Sequence, residues 1–237
     1  MPRSVSGRND RYVTYEIAAR HRPGWSWSDA IVFLDLAAKM LLVLLLIRVT
    51  LDPTWGNLEG KAPFARAVLY PMLAFVIPVV WAVRGRGASY YPWGADLLVT
   101  AACFGDILGN RLDLYDAIVW FDDVSHFAAT GQFSAAAVLL TMRHGTFGQV
   151  LERAIAVGMT CSIGWELFEY FSFVTRSSEL RGAYRDTIGD LTLGWLGSFT
   201  AAAVITAYWR LTQMPSNVRL EIDARGTDDE VHPRAAT

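Results

Sequence analysis

The chain has 237 residues, of which 53% are hydrophobic and 19% are charged, and its mean hydropathy is +0.26. Soluble globular domains carry about 45–50% apolar and about 25% charged residues, so this composition argues against a soluble domain and against a disordered chain. Two cysteines exclude a disulfide scaffold, and a formal net charge of −2 gives no reason to expect nucleic acid as a partner. The composition therefore predicts an integral membrane protein whose partner is the lipid bilayer.

Residues 1–29 form a polar, basic segment before the first apolar run. This run begins too late for a secretory signal peptide, and no small-residue cleavage site follows it. Within this segment, residues 11–20 are predicted to form a short helix on the membrane surface, on a weak periodicity. Residues 211–237 are polar again and are predicted to be a disordered cytoplasmic tail. We expect one membrane domain, residues 30–210, between these ends.

Six apolar stretches follow one another in this domain, at residues 30–51, 64–83, 93–110, 117–141, 149–174 and 185–209. About 20 mostly apolar residues are enough for a helix to cross a bilayer. The third stretch has a short apolar centre and contains Asp106, so a re-entrant segment is the alternative there. Pro71 and Pro78 predict a kink in the second stretch. The predicted fold class is an all-α integral membrane bundle of about six transmembrane helices.

The loops between these stretches differ in their content of Lys and Arg. When the N-terminus is placed in the cytoplasm, most of these residues fall on the cytoplasmic side. This is the distribution that the positive-inside rule describes. Both termini are therefore predicted to be cytoplasmic.

Small residues recur four positions apart in the last three stretches. The pairs are Gly131 with Ala135, Gly158 with Ser162, and Gly197 with Ala201. Such pairs let helix backbones approach closely in lipid. We expect these three helices to pack against one another.

Ionisable residues also fall inside four of the stretches, although each costs about 2.5–3.5 kcal/mol at the centre of a membrane helix. Members of each set are three or four residues apart, so they share a helix face. The sets are Asp106 with Asn110, Asp122 and Asp123 with His126, Glu166 with Glu169, and Asp186 with Asp190. They lie late in the third and fifth stretches and early in the fourth and sixth. Because alternate helices run in opposite directions, all four sets are expected at one depth, near the non-cytoplasmic side.

Seven carboxylates at one depth repel each other unless metal, protons or arginines neutralise them. Carboxylates with a single imidazole suit a divalent metal such as Mg²⁺, Mn²⁺, Zn²⁺ or iron. Asp123-x-x-His126 is similar to the Glu-x-x-His element of di-metal helix bundles, but only one such element is present. The predicted metal ligands are Asp123, His126, Glu166, Glu169 and Asp190.

A metal held there would activate water, which favours a hydrolase. A spare carboxylate, Asp122 or Asp186, is predicted to act as the general base. The predicted substrate is an anionic lipid head group or a phosphate, held by a basic rim and adjoining polar groups. These substrate-binding residues are Arg111, Arg181, Arg185, Asp106 and Asn110.

Two other functions remain open. Retained protons would make the acids a proton or cation relay in a transporter, but the cytoplasmic half offers only Asp35, Lys39 and Asp96, and inverted repeats are missing. We expect Asp35 to pair with Lys39 and Asp96 to be solvated. Salt bridges to arginine, such as Asp106 with Arg111, would instead make a non-catalytic scaffold.

Three segments resemble the YjdF-like predicted inner-membrane proteins of bacteria. They read Phe121-Asp122-Asp123-Val124-Ser125-His126-Phe127, Trp165-Glu166-Leu167-Phe168-Glu169-Tyr170 and Tyr184-Arg185-Asp186-Thr187-Ile188-Gly189-Asp190. The Asp-x-x-His-Phe element is also similar to one in VanZ-like membrane proteins. The resemblance covers about residues 100–205. It implies a multi-pass protein of the bacterial cytoplasmic membrane with grouped polar residues, and it implies no substrate.

Overall fold

The computed structural model describes residues 27–85 and 91–212, and these ranges contain helices and connecting turns but no strand. Their α-helices are α1 (Trp27–Leu51), α2 (Pro63–Ala74), α3 (Val76–Val83), α4 (Trp93–Arg111), α5 (Leu114–Ala117), α6 (Phe121–Thr141), α7 (Phe147–Ser172) and α8 (Ala183–Thr212). The predicted all-α class is confirmed. The predicted surface helix at residues 11–20 and nearly all of the predicted tail lie outside the described residues.

Helices coincide with all six apolar stretches, and the second stretch corresponds to α2 and α3 together. By length and composition, α1 from Ser28 and α8 can each cross a membrane, and the α2–α3 pair makes a third candidate. Among the described helices, α4, α6 and α7 are not long and apolar enough by the same criteria, so the count of six spans stays a prediction. Large apolar side chains of α1, among them Phe33, Met40 and Leu44, are more than half exposed. Such a surface suits lipid rather than water.

The α2–α3 pair bends by 43° at Phe75. Pro78 has no N–H to donate to the carbonyl of Ala74, and in a regular helix its ring would clash with that carbonyl, which is how proline kinks a helix. The backbone N–H of Val79 still donates to the Phe75 carbonyl at 3.0 Å, so α3 resumes at once. The predicted kink is confirmed.

Small residues bring α6, α7 and α8 close together, as their spacing predicts. Gly197 of α8 lies so near the Phe127 carbonyl of α6 that a β-carbon has no room, and a β-carbon on Gly131 would lie 3.1 Å from the Gly197 carbonyl oxygen. Gly158 of α7 likewise faces the hydroxyl of Ser134. Close backbone approach through small residues is the usual way helices associate in lipid.

Helix α4 joins the two halves of the bundle, because it packs against α1 and α2 on one side and against α6 on the other. Its central part is buried in an apolar core with α1, formed by Leu42, Leu46, Cys103 and Ile107. Polar groups lie on α4 on both sides of this core, Asp96 towards its start and Asp106 towards its end. The apolar core thus separates two polar clusters.

Candidate functional site

The first polar cluster is built around His126, which is 8% exposed in the second turn of α6. Its Nε2 lies 3.5 Å from Oδ1 of Asp122, one turn earlier on α6, and 3.8 Å from Oδ1 of Asp190 on α8. Its Nδ1 lies 3.6 Å from Oε1 of Glu166 on α7. One imidazole therefore faces carboxylates from three helices.

Two sets of these residues are arranged so that a metal ion can be held. The atoms of Asp122, His126 and Asp190 lie within 4.8 Å of one another, and so do those of His126, Glu166 and Glu169. Metal–ligand bonds of about 2.0–2.2 Å place ligand atoms up to about 4 Å apart, so only a small contraction is needed.

Glu166 has one oxygen held by the protein and one oxygen free to bind. Its Oε2 accepts a hydrogen bond from the hydroxyl of Thr187 at 2.9 Å. Its Oε1 is buried and has no hydrogen-bond partner in the described part of the chain. A buried carboxylate oxygen without a partner is costly, and a bound cation would satisfy it.

Arg66 of α2 adjoins this cluster and is 2% exposed. Its Nε donates to Oδ2 of Asp106 at 3.1 Å, and its Nη2 lies 3.6 Å from Oε1 of Glu169. Another guanidinium N–H donates to the carbonyl of Lys61. Three aromatic rings lie with centroids 5.2 to 5.9 Å from the guanidinium carbon, those of Trp165, Phe168 and Phe173. Arg66 is thus fixed by ionic and cation–π contacts.

Asp106 is saturated by the protein's own donors. Besides Arg66, it accepts hydrogen bonds from the hydroxyls of Tyr70 at 2.6 Å and Tyr115 at 3.3 Å, and from the amide of Asn110 at 3.4 Å. Burial, followed by the nearby Asp106 charge, raises the pKa of Tyr115, which lies outside the predicted spans. The tyrosine therefore stays a donor. Asp106 and Asn110 were predicted to bind substrate, but their contacts here are with the protein.

Arg66 contacts Asp106 and Glu169, and His126 contacts the other acids; the two groups adjoin because atoms of His126, Glu166 and Glu169 lie within 4.8 Å of one another. Together they form one His126 network with five carboxylates, namely Asp106, Asp122, Glu166, Glu169 and Asp190. Within this network one guanidinium and one imidazole face the acids. The network therefore carries an excess of negative charge in a largely buried place. A cation of higher charge is the simplest way to offset such an excess.

The remaining two predicted acids, Asp123 and Asp186, belong to neither metal-holding set. Asp123 is exposed. Residues three and four positions before His126 flank it on opposite sides along the helix surface. Asp122, four positions before, is on the side that contacts the imidazole, whereas Asp123 is on the exposed side. Asp186 is exposed one turn before Asp190 on α8.

The predicted basic rim is only partly formed. Arg181 and Arg185 are exposed at the connection from α7 to α8. Arg111 instead lies with its guanidinium carbon 4.3 Å from the ring centroid of Trp55. The expected pairing of Asp106 with Arg111 is wrong, because residues five apart lie about 140° apart around a helix. Asp106 pairs with Arg66.

The sequence-based prediction did not include Arg66 among the residues of the site. The available signal was its position inside the apolar stretch 64–83, where a charged residue calls for a buried partner. It also missed the hydroxyl of Tyr70.

A second polar cluster, here the Lys39 cluster, lies between α1 and α4. The Lys39 Nζ lies 2.6 Å from Oδ1 of Asp35, 2.9 Å from Oδ2 of Asp96 and 2.6 Å from the hydroxyl of Thr100. The hydroxyl of Tyr91 donates to Oδ2 of Asp96. The predicted Asp35–Lys39 pair is confirmed. The predicted solvation of Asp96 is wrong, because its side chain is 1% exposed and faces α1.

The fold and the His126 network define an all-helical membrane protein with a buried Asp/His/Glu cluster. A family model described as "Predicted membrane protein (DUF2238)" matches residues 34–211, about three quarters of the sequence, and the chain belongs to this family. The match confirms the resemblance to YjdF-like proteins at the level of the family, while the similarity to VanZ-like proteins stays a prediction. No curated protein and no solved structure matches the chain significantly.

Proposed function

We propose that the protein is a metal-dependent membrane hydrolase whose site opens towards the non-cytoplasmic leaflet. The observation that carries this proposal is the pair of sets around His126, in which imidazole and carboxylate atoms lie within 4.8 Å of one another. The excess of acids favours a divalent cation, Zn²⁺, Mn²⁺, Mg²⁺ or iron. The proposal includes six spans, cytoplasmic termini and a place in the bacterial inner membrane.

The donor set fits such an ion. His126, Glu166, Glu169 and Asp190 come from three helices, and the free Oε1 of Glu166 points to a missing partner. A bound divalent cation would supply Lewis-acid activation of water. With the ion held by His126, Glu166 and Glu169, Asp122 would not be a ligand, and its 41% exposed side chain beside His126 would be placed to take up a proton from that water.

The reaction class is hydrolysis of an ester or phosphoester bond. Water's hydroxyl joins the acyl or phosphoryl group, and its proton reaches the leaving oxygen through Asp122 or through Asp186. Arg181 and Arg185 are exposed at the same end of α8 as these acids. Their charges favour an anionic lipid head group or a phosphate as the substrate.

Metal analysis of the purified protein tests the proposal directly. We expect a stoichiometric divalent metal in the wild type and in Asp123→Asn, the matched control on the exposed side of α6. Glu166→Gln and Asp190→Asn are expected to lose it. Metal-free wild type whose melting temperature is unaltered by added Zn²⁺, Mn²⁺ or Mg²⁺ would contradict the proposal.

A second candidate function is a non-catalytic scaffold, and the saturated contacts of Asp106 and Arg66 favour it. Melting temperatures in chelator separate the scaffold from the metal-dependent hydrolase. Without metal, Glu166→Gln and Asp190→Asn are expected to melt at or above wild type, because each relieves repulsion among like charges. A scaffold requires the opposite, since breaking a buried ionic network costs about 3–5 kcal/mol. If both variants melt far below wild type in chelator, the acids hold the fold together.

A transporter is less well supported. It needs a polar path between the two sides of the membrane, and the Lys39 cluster supplies polar groups on the second side. Between the two clusters, α1 and α4 share an apolar buried core, with Leu42 and Leu46 of α1 and Cys103 and Ile107 of α4.

A further inference from the structure

The Lys39 cluster has a charge that its own residues do not balance. Two carboxylates, Asp35 and Asp96, face one ammonium group, Lys39. All three side chains are buried. Buried charges of this kind persist when they are paired, so the second carboxylate calls for a further positive partner.

The neighbouring helices do not provide that partner in the described ranges. The hydroxyl of Tyr91 donates to Asp96 and that of Thr100 lies 3.2 Å from Oδ1 of Asp35, but neither carries a positive charge. The surfaces that α3 and α6 add beside α4 are apolar, with Ile77 and Ala136. Among the described residues, the titratable and charged groups around Lys39 are Asp35, Asp96, Tyr91 and the Cys103 thiol of α4.

Two oxygens remain available for a ligand. Oδ2 of Asp35 and Oδ1 of Asp96 are buried without a hydrogen-bond partner in the described residues. The other oxygen of each carboxylate lies within 2.9 Å of the same Lys39 Nζ, which places the two groups side by side. Each of these side chains is more than nine-tenths buried.

We propose that the Lys39 cluster binds one exchangeable monovalent cation, a proton or an alkali metal ion, at the free oxygens of Asp35 and Asp96. One such charge makes the cluster neutral and satisfies the unpartnered oxygens. Carboxylate oxygens accept both kinds of cation, so the two compete for the same place.

Infrared spectroscopy of the full-length protein in detergent micelles tests this inference. In choline chloride we expect the band of one protonated carboxylic acid, which disappears as the pH rises or as Na⁺ or Li⁺ is added. Asp96→Asn is expected to lose both the band and the alkali-ion response. Asp52→Asn, an exposed acid just beyond the end of α1, is the matched control and keeps both, as does Glu166→Gln in the His126 network.

The outcomes identify the ligand. If the band titrates with pH but does not change on addition of Na⁺ or Li⁺, the ligand of the Lys39 cluster is a proton. No band, with a melting temperature raised by Na⁺ or Li⁺ over choline in wild type but not in Asp96→Asn, assigns the metal ion.

The proposal would be overturned if wild type shows neither the band nor the alkali-ion response, or if either signal persists in Asp96→Asn. Should Asp96→Asn fail to fold, Tyr91→Phe decides. It keeps every charge and removes one hydrogen bond to Asp96, so it must shift the band or the half-saturating alkali-ion concentration.

Discussion

The two polar clusters of this bundle differ in how many buried acids they contain and in how exposed those acids are. The Lys39 cluster has two acids around one ammonium group, with all three side chains less than a tenth exposed. The His126 network has five acids and two basic groups, and the side chain of Asp122 is 41% exposed at its edge. A closed cluster with one excess charge suits a single small ion. An open network with a larger excess suits a divalent metal and a substrate that comes and goes.

Removal of the Lys39 ammonium group is expected to have the largest effect on stability. Lys39→Met leaves Asp35 and Asp96 without their shared partner, so we expect a loss of about 3–5 kcal/mol in the free energy of unfolding. Lys61→Met is the control, because Lys61 pairs at 3.1 Å with the exposed Asp116 and such a pair contributes about 0–1 kcal/mol. Denaturant unfolding in micelles measures both. Equal losses in the two variants would show that Lys39 does not balance its cluster.

A substitution on α8 is expected to disturb the His126 network alone. In Gly197→Ala the new methyl group meets the Phe127 carbonyl of α6, and overpacking of this kind costs about 1–3 kcal/mol. It pushes α8, and with it Asp190, away from His126. We expect weaker metal binding and an unchanged response of the Lys39 cluster to alkali ions.

The control for this substitution lies on the same helix. Gly189 has open space where its β-carbon would be, so Gly189→Ala is expected to be neutral or to stabilise α8 by up to about 1 kcal/mol. Equal unfolding free energies for Gly197→Ala and Gly189→Ala would mean that the close approach of α6 and α8 is not needed.

The smallest expected effect concerns an exposed acid that contrasts with Asp35 and Asp96. Hydrogen bonds from the Thr54 hydroxyl and the Trp55 N–H lower the pKa of Asp52 from its ordinary value of 3.8. A lowered folded-state pKa means that the stabilisation is present above pH 3.8 and is lost as the pH falls through the folded pKa. We expect Asp52→Asn to melt slightly below wild type at neutral pH and level with it in strong acid. A gap that persists in acid would exclude this cause.

Much of the His126 network follows from sequence spacing, because acids three and four residues apart share a face and antiparallel helices bring the faces to one depth. His126, Glu166, Glu169 and Asp190 are found together for this reason. The choice between Asp122 and Asp123 depends on how far α6 is rotated about its axis, and periodicity leaves such a rotation open.

Contacts between distant helices were harder to predict. Arg66 and Asp96 both lie near the ends of apolar stretches, where a charged residue is equally compatible with solvent. Their partners come from other helices, Asp106 for Arg66 and Lys39 for Asp96. Only the packing of α2 and α1 against α4 selects these pairs, and the sequence of one helix does not encode the register of its neighbour.

The uneven hydropathy of the helices has a consequence for biosynthesis. Under the proposed six-span arrangement, α1, the α2–α3 pair and α8 are long and apolar enough to cross the bilayer, although α8 carries Asp186 and Asp190, whereas α6 and α7 pass no such test and also bring acids that penalise entry. The partner that joins His126 and Glu166 is α8, which follows α6 and α7 in the chain. Stable insertion of α6 and α7 is therefore expected only after α8 has been made and has packed against them.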